Sequence, residues 1–248
     1  MMIDDYQGRE PDPNGEMDPE TGAGGAPVDR DGGAERYDTE PISREDAAFA
    51  EARRLEREGR ADQASAIYRD LLARNPDHVR ARNNLGVIED RTGNHAGAME
   101  HFRAALVTDP DNPEILGNMG AALGAMARFD EAEEVLRRAL RLEPDRIDVR
   151  ANLGILHFRR GVYAQAVTDL EWVIRQDPEN AAAHFYRGEA LNRLGHVDEA
   201  LEALERASRL QPRNARIYYL MGILYDRKHL PAEAGAMYRR ARELSGNP

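Results

Sequence analysis

The sequence predicts an all-α fold of the solenoid kind, and three ladders of residues carry that prediction. Pro76, Pro110, Pro144, Pro178 and Pro212 stand 34 residues apart without a slip. Gly86, Gly120, Gly154, Gly188 and Gly222 keep the same step, as do Ala64, Ala98, Ala132, Ala166, Ala200 and Ala234. A period of that length marks stacked supersecondary units, each too small to bury its apolar face alone. Six units fit the register, at about 45–78, 79–112, 113–146, 147–180, 181–214 and 215–248. Function in such a chain is expected on a surface rather than in a catalytic pocket.

Ahead of the register, residues 1–42 read as a leader. Residues 1–40 hold twelve acidic side chains and three arginines, so −9 of the chain's net −11 lies there and −2 is left for the rest. Glycine and proline are interleaved with the acids, as in Pro11-Asp12-Pro13-Asn14-Gly15. So little apolar surface cannot offset chain entropy, and the segment is predicted to be disordered. It reads either as a solubilising tail or as an acidic strap for the repeat surface. Order is expected to begin at Ser43, which has Asp46 three residues on, the spacing of a capping box.

Composition narrows the function classes. The chain has no cysteine, which removes disulfides, thiolate metal sites and a cysteine nucleophile. The nearly neutral repeat region lacks the clustered basic footprint that phosphate backbones need, so no nucleic-acid partner is expected. Apolar runs fall well short of the ~20 residues of a membrane span. Met1-Met2-Ile3-Asp4-Asp5-Tyr6 has neither a basic n-region nor an apolar stretch, so a cytoplasmic protein is the expectation. There is no Gly-rich phosphate loop, nucleophile elbow or paired-histidine motif. A non-enzymatic protein without cofactor or metal is predicted.

Each unit reads as two helices. In the fourth, residues 147–160 form the first helix, Gly161 the turn and residues 165–176 the second, with Asp177-Pro178 as the stop. Proline lacks an amide and disfavours helix in the residue before it. Glycine at position 8 costs roughly 0.5–1 kcal/mol relative to alanine inside a helix, so a close approach must compensate. The simplest partner is the alanine at position 20, small against small.

The pattern resembles the tetratricopeptide repeat, whose unit wants Leu, Gly, a large residue, Gly, Ala, a large residue, Ala and Pro at positions 7, 8, 11, 15, 20, 24, 27 and 32. The third unit supplies Met119, Gly120, Leu123, Ala132, Leu136, Ala139 and Pro144, with Ala127 where the pattern has Gly. The second supplies Leu85, Gly86, Gly93, Ala98, Phe102, Ala105 and Pro110; the fifth supplies Gly188, Leu191, Gly195, Ala200, Leu204, Ala207 and Pro212. The resemblance implies a right-handed α-α superhelix of six helix-turn-helix units over residues 43–248. It covers about five-sixths of the chain and is specific for fold; sites are grafted onto folds. The first unit departs, with Glu51 and Ala52 at positions 7 and 8, as suits a capping repeat. The last lacks the extra solvating helix that resembling arrays often carry. Its first helix is apolar nearly all round, from Ile217 to Tyr225, and such a helix expects cover on every side.

What the resemblance implies for function is a concave surface lined by positions 2, 5, 6, 9, 12 and 13 of each first helix. Position 6 gives Asn84, Asn118 and Asn152; position 13 gives Arg57, Arg91, Arg159, Arg193 and Arg227. An asparagine row can pair with the amides of an extended peptide, and arginines can fork onto carboxylates. The asparagines resemble the ladder in the repeat superhelix of O-linked N-acetylglucosamine transferase, without its catalytic half. Alternatively both rows reflect the family's average unit, with Asp90, Asp148, Glu189 and Asp226 pairing the arginines along the helix. Phe158, Phe185, Tyr186, Tyr219, Leu220 and Ile223 fall at concave positions and form the candidate hot spot, provided curvature does not bury the rings. His157 and His184 stand at core-type positions, where buried pairing is expected rather than metal binding. Trp172 is expected to lie partly covered on the convex side.

The functional expectation is a scaffold holding a partner peptide or helix in its groove. The alternatives are self-association into a homodimer through residues 215–244, or a regulatory subunit of a separately encoded enzyme.

Overall fold

The computed structural model describes residues 43–246, so the expectations for the acidic leader lie outside the described residues. Twelve helices run in six antiparallel pairs: α1 (Arg44–Arg57) with α2 (Ala61–Arg74), α3 (Val79–Arg91) with α4 (His95–Thr108), and α5 (Pro113–Ala125) with α6 (Phe129–Leu142). The series continues with α7 (Ile147–Arg160) and α8 (Tyr163–Gln176), α9 (Ala181–Leu194) and α10 (Val197–Leu210), and α11 (Ala215–Arg227) and α12 (Pro231–Leu244). The described residues contain no strand, and the all-α solenoid stands. In the fourth unit the second helix starts at Tyr163, two residues before its predicted start.

Local chemistry punctuates the helices. The Ser43 hydroxyl accepts from the Asp46 amide at 3.0 Å and donates to the Asp46 carboxylate at 2.7 Å. Two residues after the repeat prolines, Asn112, Asn180 and Asn214 accept from amides of α5, α9 and α11 and so cap them. Arg146 holds the same place before α7 and instead forks onto Asp148 at 2.8–2.9 Å, keeping that carboxyl below its usual range. Within each hairpin the turn residue at position 15 takes a left-handed conformation. Gly59, Gly93, Gly161 and Gly195 do so freely, while Ala127 (φ 59°) and His229 (φ 58°) do so against a Cβ penalty.

The glycine at position 8 answers chiefly to a different neighbour from the one its sequence suggests. A Cβ on Gly120 would lie 2.5 Å from Leu136, on Gly154 2.8 Å from Leu170 and on Gly188 2.8 Å from Leu204. In the second and last units the rings of Phe102 and Tyr238 take that place. The glycine therefore seats chiefly the large residue at position 24; the expected position-20 neighbour is also close at Gly188, where the Ala200 carbonyl would lie 3.2 Å from an added Cβ. Small faces large, because the large side chain reaches across from the opposing helix into the notch.

From the second unit on, each first helix touches the next: α3 meets α5, α5 meets α7, α7 meets α9 and α9 meets α11. No pair of successive second helices packs to the same extent among the described residues. A stack whose first helices crowd while its second helices spread curves toward the first helices, which therefore form the inner wall.

Candidate functional site on the inner wall

The asparagine row is present but partly committed. Asn84 donates to the Tyr68 hydroxyl at 2.9 Å, Asn118 to the Asn83 Oδ1 at 2.9 Å, and Asn152 to the Gly117 carbonyl at 3.2 Å. In every case the acceptor belongs to the preceding unit, so these amides stitch the stack. Tyr68 is fully buried, donates to Glu56 at 2.8 Å, and has its phenol pushed well up by that burial. Asn83 is buried too and passes the chain on to Glu114 at 2.8 Å. Each asparagine of the row thus spends one N–H on the preceding unit, a use that the expected pairing with a peptide's amides did not include. Superhelical packing brings position 6 of one unit within hydrogen-bond reach of the unit before it, which linear spacing does not reveal.

Three of the predicted residues meet in one cavity of about 290 Å³: Asn152, Arg159 and Tyr186. Its floor is α5, through Gly120, Ala121, Gly124 and Ala125, and its far rim is the Asp90–His95 pair, 2.6 Å apart. Arg159 is exposed and, among the described residues, has no ion pair; the same holds for Arg91 and Arg193. Intrahelical acids therefore leave these three guanidiniums free. Arg91, Arg193 and Asn118 lie along the wall outside this cavity, and Asn84 lines a separate depression of about 250 Å³ beside Phe49 and Glu114.

The aromatic patch divides. Phe158 and Tyr186 are half-buried, with ring centroids 5.4 Å apart, and Tyr186 meets Phe185 edge-on at 5.2 Å. Phe185 itself is only 7% exposed, contrary to its expected exposure, because it belongs to a core cluster with Ile217 and Met221 of the next unit, with the Arg216 guanidinium 5.1 Å over its ring. It supports Tyr186 from behind. Ile223 is half-buried; Tyr219, in contrast, is 53% exposed and lies in a separate groove at the end of the stack. His157 is buried against Asp169 at 2.8 Å and Trp172 is half-buried under Arg150, as expected of both.

Sequence reasoning missed the floor and the Asp90–His95 rim. The signal for the floor was legible. At the inner positions 5, 9, 12 and 13 the third unit carries Gly117, Ala121, Gly124 and Ala125, and the arginine ladder breaks there. Small side chains on one unit leave room that bulkier neighbours enclose. Among the described residues no three His, Asp or Glu side chains converge as a metal site would require, and no helix is long and apolar enough to cross a membrane.

Tetratricopeptide repeat models match residues 49–113 and 151–207, residues 91–154, and residues 188–228, so that together they run from 49 to 228. The chain belongs to the tetratricopeptide repeat family. Among solved structures, MamA of MSR-1 is similar at 25% identity over 68% of this chain and 97% of its own, with a TM-score of 0.56. A tetratricopeptide repeat protein from Parabacteroides merdae matches 83% of this chain and 80% of its own at 17% identity and a TM-score of 0.66. The MamA fragment from Desulfovibrio magneticus RS-1 matches at 23% identity and 0.59, over 68% of this chain and 96% of its own. The last two likenesses concern the fold alone. Comparison with the curated proteins finds no match. This tetratricopeptide array has the architecture of a protein-interaction scaffold.

Proposed function

We propose that the array holds an extended or helical segment of a partner protein against its inner wall, centred on Asn152, Arg159 and Tyr186. One observation carries the reading: a free amide acceptor, an unpaired guanidinium and a half-buried ring converge on a single cavity. The Asn152 Oδ1 accepts a backbone N–H, Arg159 forks onto a carboxylate, and Tyr186 with Ile155 covers an apolar side chain. The partner segment is thus acidic and apolar in alternation, with further carboxylates reaching Arg91 and Arg193. Asn84 and Asn118 extend the backbone contacts toward the first unit, and Phe158 and Phe185 brace the ring. Selecting displayed peptides against the full chain, then measuring the best binder on Arg159→Ala and Tyr186→Ala, tests this. Each variant loses about tenfold or more in affinity; unchanged affinity in both, with the fold intact, sinks the proposal.

A second reading is self-association through the last unit. A groove of about 820 Å³ runs between α11 and α12, lined by Tyr219, Tyr238 and Ala241, with Arg216 and Arg242 at its edges. In the fifth unit the residue matching Tyr219 is Phe185, which the following unit covers. A second copy laid end to end covers Tyr219 in the same way. Sedimentation at micromolar concentration decides: a dimer that dissociates in Tyr219→Asp supports it, and a strict monomer removes it at that concentration.

A further inference from the structure

A second departure from the repeat lies on the outer face, where α8 passes α9 and α10. Position 7 of a unit is a large apolar residue in Leu85, Met119, Leu153 and Met221, yet the fifth unit puts Arg187 there. Position 26 is Trp172 in the fourth unit, where Arg150 lies over the indole ring at 4.6 Å, but it is Arg206 in the fifth. Position 23 shrinks from Asp169 to Ala203 at the same step. These exchanges leave a cavity of about 460 Å³ with Ile174, Pro178 and Ala203 as its apolar surfaces.

The lining is charged in one sense. Arg175, Arg187, Arg206 and Arg209 stand against Glu171 and Glu202, a balance of +2. Glu171 is spent on Arg187, which donates to it twice at 2.9 and 3.1 Å from a largely buried position. Arg175, Arg206 and Arg209 have no ion pair within 4.0 Å among the described residues. At the centre His184 is buried, and its Nε2–H donates to the Pro178 carbonyl at 3.1 Å. Burial pushes its imidazole below the ordinary value of 6.5, and the guanidiniums of Arg206, Arg187 and Arg209 push in the same direction. Three unpaired cations thus converge on one cavity beside a neutral ring.

We infer that this outer cavity is an anion site for a phosphomonoester, gripped by Arg206, Arg209 and Arg175 and fixed in place by the Arg187–Glu171 pair. Charge selects the ligand class: a phosphomonoester carries about −1.5 to −2 at neutral pH and three acceptor oxygens, matching both the +2 balance and the three free forks. A lone carboxylate would satisfy one guanidinium and leave two facing each other. Guanidinium is also the weakly hydrated cation suited to planar, two-point contact with phosphate oxygens. The apolar surfaces of Ile174, Pro178 and Ala203 receive the carbon chain that bears the phosphate. That chain belongs either to a phosphorylated partner side chain or to a small phosphorylated molecule, and the chemistry of capture is shared. The site faces away from the inner wall, so it stands or falls independently of the peptide groove.

His184 supplies the readout, because a bound dianion cancels the field of the arginines around it. Inorganic phosphate is titrated into the full chain at constant ionic strength while the His184 ring resonances are followed by NMR across pH. Saturable shifts are expected, with the His184 pKa rising when phosphate is bound. Arg206→Gln/Arg209→Gln weakens phosphate binding by about tenfold or more, and the exposed Arg175→Gln weakens it alone if the double variant fails to fold. Arg91→Gln/Arg159→Gln on the opposite wall leaves it unchanged. A phosphoserine peptide that binds about tenfold tighter than O-phosphoserine points to a protein source, and equal affinity to a small molecule. Shifts that never saturate, or affinity that survives loss of Arg206, Arg209 and Arg175, overturn the inference.

Discussion

The two halves of the inner wall join the same kind of hairpin by the same chemistry in different proportions. Between the first three units, directional hydrogen bonds run across the joints: Glu56–Tyr68–Asn84, then Glu114–Asn83–Asn118. Between the fourth, fifth and sixth, rings take a larger share through Phe158, Tyr186 and Phe185, beside the Arg216–Glu189 ion pair and the Arg227–Asn192 hydrogen bonds. A guanidinium lies over a ring at both ends, Arg80 over Phe49 and Arg216 over Phe185. The lesson is that a repeating backbone fixes where units meet and leaves open what holds them. Hydrogen-bonded joints tolerate little change of chemistry, whereas ring-packed joints tolerate little change of volume.

The sharpest way to break that contrast is to exchange volume and polarity separately. Phe185→Ala opens a cavity at a packed joint and costs about 3 kcal/mol in denaturant unfolding. Asn83→Leu keeps the bulk but leaves the half-buried Asn118 amide without its acceptor, for a loss of about 2 kcal/mol. Phe185→Leu, a change of shape within an apolar joint, costs only about 1 kcal/mol. Should Asn83→Leu prove as mild as Phe185→Leu, the hydrogen-bonded joint is not what holds the N-terminal units.

Acid sharpens the comparison further, since His184 sits in the C-terminal half. Its folded-state pKa is depressed, chiefly by burial, so the unfolded chain takes up the proton first. The stability it contributes is present above the unfolded value of 6.5 and is lost as pH falls through the folded one. His184→Gln therefore flattens the decline of Tm on acidification in that window, while Asn83→Leu leaves the decline as it is. The smallest effect belongs to the turns. Ala127→Gly relieves a left-handed alanine and stabilises by roughly 0.5 kcal/mol, whereas Gly161→Ala at the matching turn destabilises by roughly 1 kcal/mol.

Much of the fold was legible because its cause is periodic. A proline, a glycine and an alanine at a constant step each report one local requirement: a stop, a notch and a tight core position. The candidate site was legible in part. Asn152, Arg159 and Tyr186 were found as members of rows, but that they alone share a cavity depends on the small inner face of the third unit. Phe185 shows the limit most clearly. Its position is an inner-wall position by spacing, yet it is buried in one core cluster with Ile217 and Met221 of the following hairpin, under Arg216.

By itself the sequence determined the helices, their pairing and the number of stacked units, because each follows from contacts within about one repeat length. Tertiary structure alone decided which wall residues remain available: the asparagines that spend an amide on the preceding unit, the ring that is covered and the arginines left unpaired. Those outcomes depend on the angle and offset between neighbouring hairpins, which arise from packing large side chains into notches across the stack. A linear step of 34 residues carries the order of the rows, and only the packed superhelix determines what each row can touch.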